Sequence, residues 1–193
     1  MSTNVLDLVF ALDGSDSLTT VQFEKLKEFV LKSLHSYDIS RENTHVGVIE
    51  YSDQVSVKIP LHQFSTAQQL KEAVQNIQPS KGRGVLTDQV LDKAAKEVFS
   101  PSSGGRPGAS KALVILTDDP SFGSRPVSEA VKPLQAMGVF VTVVAIGNRV
   151  PGKELGDLTP GEENIHNVST PDEVPAKASG VAEAIDKAIK ESK

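Results

Sequence analysis

The chain has 193 residues, 38% of them apolar, with a formal net charge of −5 and no cysteine. That length and apolar share fit one globular domain with a core large enough to need no covalent staples, and the absence of cysteine excludes disulfides, thiolate metal sites and a catalytic thiol. An acidic balance without a long Lys/Arg block suits a cation or a basic partner better than nucleic acid, and no apolar run is long enough to cross a bilayer.

Met1-Ser2-Thr3-Asn4 enters the first strand almost at once, with no basic region, apolar segment and cleavage site ahead of it. The chain therefore reads either as a cytosolic protein or as a domain cut from a longer secreted one. Residues 8–12 (Leu, Val, Phe, Ala, Leu) show no polar alternation, the pattern of a strand covered on both faces in a parallel sheet. The run ends abruptly in Asp13-Gly14-Ser15-Asp16-Ser17, at the carboxyl end of a strand, where open α/β sheets gather their ligands. Val21, Phe23, Leu26, Phe29, Val30, Leu31 and Leu34 then recur at helical spacing, with Thr19 or Thr20 as cap.

Residues 44–52 and 55–60 read as an antiparallel hairpin turning at Asp53-Gln54, its second strand stopped at the sheet edge by Pro60. A helix opened by Ser65-Thr66 runs through Leu70, Ala73, Val74 and Ile77, and the loop Lys81-Gly82-Arg83-Gly84 follows. Val85 to Phe99 predicts another helix, and residues 100–108 a surface loop. Lys111 to Asp119 repeats the opening pattern, an apolar run discharging into carboxylates. A helix over 127–137 stops at Gly138, and the strand Val139 to Ile146 is fully apolar. A short helix near 153–158, a weak strand near 165–168 and a helix from Asp172 to about Lys190 complete the chain. The alternation predicts one α/β domain over residues 4–192. It is doubly wound, with a mostly parallel six-stranded sheet, one antiparallel edge strand and helices on both faces, a Rossmann-like arrangement.

With the strands from Val5 and Lys111 as neighbours at the switch point, Asp13 and Asp118 lie side by side, with Ser15 and Ser17 close by. Two carboxylates brought together repel unless a cation or a proton sits between them. Carboxylates with hydroxyls are hard ligands that suit Mg²⁺ best, with Mn²⁺ or Ca²⁺ as alternatives, and they leave one position on the metal for an outside oxygen. The competing reading is a strand-to-helix turn in which Asp and Ser merely bond backbone amides. His35, His45, His62 and His166 show no ligand spacing on one element. The Gly82-Arg83-Gly84 loop lacks a phosphate-loop pattern, and Arg106 with Lys111 reads as a solvated loop. A metal-assisted phosphatase is disfavoured, because no second carboxylate stands two residues after Asp13 and no general acid is evident. Asn167-Val168-Ser169 fits an N-glycosylation sequon, which counts in a secreted chain.

Asp13-Gly14-Ser15-Asp16-Ser17 resembles the Asp-x-Ser-x-Ser signature of von Willebrand factor A domains and integrin inserted domains, and Leu116-Thr117-Asp118-Asp119 their Leu-Thr-Asp-Gly segment. Phe23 to Val30, Val46 to Ser52, Arg106 to Lys111 and Val143 to Gly147 extend the likeness to extracellular members such as matrilins and collagen VI. The resemblance implies a non-enzymatic adhesion module of the extracellular matrix, a domain of a longer secreted chain. It would engage an acidic side chain of collagen or another matrix protein through a metal-ion-dependent adhesion site. The implied ligands are Asp13, Ser15, Ser17, Thr87 and Asp118, with Gly14, Asp16, Arg83 and Asp119 as partner contacts. Neither nucleic acid nor membrane insertion is implied. One departure stands out: where the family has Thr-x-Thr-Gly, this chain has Val85-Leu86-Thr87-Asp88. Val85 then holds the metal-binding threonine's place unless the loop shifts by two residues to bring Thr87 in, which the glycines at 82 and 84 make cheap. The second reading is an assembly module of the same fold whose metal site is vestigial or structural.

Overall fold

The computed structural model describes residues 5–193, so the expected domain start at residue 4 lies outside it. Six strands form one sheet in the order β3-β2-β1-β4-β5-β6. They are β1 (Leu6–Asp13), β2 (Thr44–Tyr51), β3 (Val55–Ile59), β4 (Ser110–Thr117), β5 (Val139–Ile146) and β6 (Ile165–Val168). All neighbours run parallel except β2 and β3, the predicted hairpin.

β1 is buried along its whole length, and its alternating side chains serve two cores. Leu6, Leu8, Phe10 and Leu12 face a layer made by α1 (Thr20–Leu34), α2 (Ala67–Gln75) and α7 (Ala178–Glu191). Val9 and Ala11 face the opposite layer of α3 (Thr87–Lys93), α4 (Val127–Ala130), α5 (Lys132–Ala136) and α6 (Gly152–Leu158). In α1 the fully buried stripe is Phe23, Leu26, Phe29 and Val30, with Phe29 edge-on to Phe10 at 6.1 Å between ring centroids. Each such side chain contributes about 1.5–3 kcal/mol by leaving water.

Thr19 caps α1 through a reciprocal pair: Gln22 N–H donates to Thr19 Oγ1 at 3.1 Å, and Thr19 N–H donates to Gln22 Oε1 at 2.9 Å. Thr19→Ala is expected to cost about 1 kcal/mol, read as a melting temperature lower by about 2–4 °C.

Several expectations need correction. Val21, placed on the inner face of α1, is 73% exposed, because the buried stripe begins at Phe23. The helix predicted over 85–99 begins at Thr87, and its last turn, Ala94–Val98, widens to a π-helix. The helix predicted over 127–137 breaks in two at Val131, next to Pro133, whose ring nitrogen has no proton to donate to the preceding turn. The terminal helix starts at Ala178, since Pro171 and Pro175 open two 3₁₀ turns ahead of it.

The loop before β4 is not simply solvated. Gly105 is buried so tightly that a Cβ there would lie 1.9 Å from the Phe99 carbonyl oxygen. Arg106 turns inward to the fully buried Asp7: its Nε and Nη2 donate to Asp7 Oδ1 at 2.9 and 2.8 Å, and its backbone N–H donates to Oδ2 at 2.8 Å. Nη2 also reaches the carbonyls of Leu6 and Asn43, while the Lys111 ammonium lies 3.8 Å from Asp7 and donates to the Arg106 carbonyl at 2.7 Å. Among the described residues, no helix is long and apolar enough to cross a membrane.

Candidate functional site

The parallel register sets Leu12 opposite Leu116, so β1 and β4 end together and deliver Asp13 and Asp118 to one point at the switch in strand order. Asp13 is fully buried and surrounded by donors. Ser15 contributes its N–H at 3.0 Å and its hydroxyl at 2.6 Å to Oδ1, and Asp118 N–H and the Thr117 hydroxyl face Oδ2 at 3.2 and 3.4 Å. Ser15 Oγ lies 2.7 Å from Ser17 Oγ, and Ser17 Oγ donates to Asp118 Oδ1 at 2.8 Å.

These contacts form a line of four oxygens: Asp13, Ser15, Ser17, Asp118. Three short contacts join them, but the two serines bring only two hydroxyl protons. With both carboxylates ionised, one contact sets lone pair against lone pair. A proton on one carboxyl group satisfies the line, and so does a cation held among its oxygens. Burial, followed by the adjacent Asp118, raises the Asp13 pKa from 3.8 to about 7, while Ser15 pulls it the other way. With both carboxylates ionised the line is one proton short of hydrogen-bond satisfaction and carries two negative charges, and its oxygen donors fit a hard divalent cation.

The third loop places the remaining candidates. Val85 is buried in a bridge to Ser121, its carbonyl taken by Phe122 N–H at 2.7 Å, and Leu86 N–H donates to the Ser52 carbonyl at 2.8 Å. Thr87 is the first residue of α3 and makes no hydrogen bond to the aspartates or serines. Its hydroxyl oxygen is buried and unpaired. Such a group carries a desolvation cost until something meets it. Asp88 is also buried, accepting Arg125 N–H at 3.1 Å and packed against Gly123, where a Cβ would overlap its carboxylate.

The partner candidates divide. Asp16 and Arg83 are exposed on the rim, with Asp16 N–H tied to the Gly82 carbonyl at 2.9 Å. Gly14 is buried, and a Cβ on it would lie 2.4 Å from Glu50 Oε1, so its position lets a loop and a carboxylate approach closely. Asp119 is nearly buried, and its Oδ1 is 2.5 Å from an Arg149 guanidinium nitrogen.

Residues that sequence reasoning passed over hold this loop cluster in place. Glu50, buried in β2, accepts Ser80 N–H at 2.6 Å, and Ser52 Oγ meets Ser80 Oγ at 2.6 Å. The Tyr51 hydroxyl donates to the Leu116 carbonyl at 3.2 Å beneath the site. Burial, then the charge of Asp13, holds its pKa well above the ordinary tyrosine value, so it remains a neutral donor. Glu154 accepts Ser121 N–H at 2.8 Å, and burial raises its pKa. An acid inside the otherwise apolar run Val46 to Tyr51 was a readable signal for Glu50; Arg149 and Glu154 carried none.

Arg149 sets up a test of sign. Its charge lies beside the cluster and opposes a cation, so Arg149→Ala is expected to tighten Mg²⁺ binding about threefold to tenfold in a calorimetric titration. Weaker binding would instead make the Asp119 to Arg149 pair a support for the site.

The sequence profile of the von Willebrand factor type A domain matches residues 7–179. The chain belongs to that family. Among curated relatives, this von Willebrand factor type A domain is 33% identical to matrilin-1 of Gallus gallus over 149 residues, covering 77% of the chain and 30% of that protein. It is 33% identical to matrilin-3 of Gallus gallus over 172 residues, covering 86% and 37%. The domain thus spans about a third of the length of these relatives. Among solved structures, proximal thread matrix protein 1 from the mussel byssus superposes with a TM-score of 0.89 at 23% identity, over 94% of this chain and 47% of that one. The same mussel protein with a zinc-occupied MIDAS motif superposes with a TM-score of 0.89 at 22% identity, covering 93% and 47%.

Proposed function

We propose that this von Willebrand factor type A domain is a non-enzymatic adhesion module of the extracellular matrix, engaging a partner carboxylate through a divalent cation held by Asp13, Ser15, Ser17 and Asp118. The observation that carries the reading is the line of four oxygens, two of them carboxylate, that is one proton short of satisfying its three contacts. Mg²⁺ is the preferred ion because every donor is a hard oxygen, and Mn²⁺ and Ca²⁺ share that chemistry. The mussel protein with zinc in its MIDAS motif supports a divalent cation at this place in the fold. When bound, the ion supplies a Lewis-acidic position for an outside carboxylate. Thr87, with its unpaired buried hydroxyl, completes the set of oxygens available to the ion or to a water on it. Asp16 and Arg83 stand exposed on the rim, where a partner would approach. The matrilin relatives, extracellular matrix proteins, support a matrix partner, with collagen as the first to test.

A second reading has its own observation. In the register that sets Val85 against the family's metal-binding threonine, its bridge to Ser121 ties that loop down, as expected of an assembly module with a structural or vestigial site. Titrating Mg²⁺ and Mn²⁺ into chelator-stripped protein, then measuring binding to immobilised collagen with and without chelator, separates the two. A one-site isotherm with collagen binding that chelator abolishes supports adhesion through the cation. Collagen or self-association indifferent to chelator favours the assembly module, and the absence of any isotherm overturns the cation reading.

A further inference from the structure

We propose that Asn167 is an N-glycan attachment site, placing a sugar chain at the same end of the sheet as the candidate cation site. Of the asparagines at 4, 43, 76, 148, 164 and 167, only Asn167 is followed two residues later by serine or threonine, and the intervening residue is Val168, not proline. The fold presents that tripeptide outward. Val168 is buried and its carbonyl accepts Gly147 N–H at 2.8 Å, so the residue pins the end of β6 while Asn167 and Ser169 on either side of it are exposed. Among the described residues β6 is an edge strand that pairs with β5 alone, its other side unpaired by any strand. The following turn is held by Glu173, whose Oε2 accepts the N–H groups of Ser169 and Thr170 at 2.7 and 2.8 Å. Beside it lies a polar hollow of about 420 Å³, lined by Asn148, Ser169, Glu173 and Lys177, where the first sugar's hydroxyl and acetamido groups find partners.

In the transfer, the Asn167 carboxamide nitrogen forms a bond to the anomeric carbon of a lipid-linked oligosaccharide. The bond from that carbon to the lipid pyrophosphate breaks, the pyrophosphate leaves with the electron pair, and the amide gives up one proton. No oxidant or reductant is needed. Two strand spacings, roughly 10 Å, separate β6 from β4, whose carboxyl end leads directly into Asp118. A glycan here walls one side of the cation site and restricts partners to approach from the β1 and β2 side.

The site operates in nature only if the chain is extracellular, as proposed above, so the test supplies the compartment itself. The 193-residue chain is expressed behind a secretion leader in animal cells, with a separate, efficiently used acceptor tag after Lys193 reporting entry into the lumen. Intact mass and peptide mapping follow, before and after enzymatic glycan release, on medium and cell lysate together. The expected result is a glycan on the peptide holding Asn167, converted to aspartate on release and absent from both Asn167→Gln and Ser169→Ala. A modified tag beside an unmodified Asn167 overturns the proposal. Mg²⁺ titration of Asn167→Gln is expected to match the parent chain, so failure of the cation reading shows there and not in the glycan masses.

Discussion

In chelator-stripped protein, Asp13→Asn is expected to flatten the rise in stability that the parent domain shows on acidification from about pH 7 to pH 4, and to abolish saturable Mg²⁺ binding. The sign follows from proton counting. The folded Asp13 pKa is raised to about 7 from an ordinary 3.8, so in that window the folded state holds a proton that the unfolded chain has released. Stability therefore falls as pH rises through the window, by at most about 1.4 kcal/mol per pH unit from this one group. Summed across the window, the loss is a few kcal/mol. Asparagine carries no titrating proton, so the difference between mutant and parent isolates Asp13 from Glu154, whose pKa is raised in the same direction. A saturating cation should do to the parent what the substitution does, because the ion takes the proton's place, and its affinity should rise with pH toward neutrality. Urea denaturation across the pH range, with and without Mg²⁺, provides the measurement. Parallel curves for mutant and parent would show that Asp13 is already ionised in the metal-free fold and that the oxygens are satisfied in another way.

Arg106→Ala is expected to cost about 3–5 kcal/mol and to leave Mg²⁺ affinity unchanged. Asp7 is fully buried, and removing the guanidinium strands its carboxylate with only the backbone N–H of residue 106 at 2.8 Å and the Lys111 ammonium at 3.8 Å. The carbonyls of Leu6 and Asn43 lose their shared donor as well. The double replacement Asp7→Leu with Arg106→Met should recover much of the loss, since apolar groups remove both charges along with their desolvation. Asp7 stands six residues before Asp13 on the same strand, about 20 Å away, so the cation site should not register the change. Denaturant midpoints for the single and double variants, beside the calorimetric titration, decide the matter. A loss below about 1 kcal/mol would place the pair among ordinary surface ion pairs.

The sheet was legible because its strands are unusually plain. β1, β4 and β5 are apolar runs without alternation, and two of them end in acids, which located the switch point and the pairing of Asp13 with Asp118. The helix boundaries were less legible, because Pro133, Pro171 and Pro175 act on backbone hydrogen bonds, while apolar spacing continues past them. At the site, Ser15 and Ser17 could be placed from local spacing. Among the supports, Glu50 stood out as an acid in an apolar run, while Tyr51, Arg149 and Glu154 reach the loops across the fold, through contacts that no local pattern encodes. Arg106 and Asp7 show the same limit, lying 99 residues apart and joined by the meeting of the amino ends of β1 and β4.

The edges of the sheet bear on how copies of this domain tolerate crowding. β3 spans five residues, carries the exposed Lys58 and stops before Pro60, while β6 spans four. A long, flat, apolar border would offer a ladder of unpaired amides and carbonyls to any neighbouring chain and invite continuous strand addition. Here both borders are too short, and one too charged, to template that growth. Domains of this kind can be packed at high local density and remain separate bodies, without strand-to-strand growth.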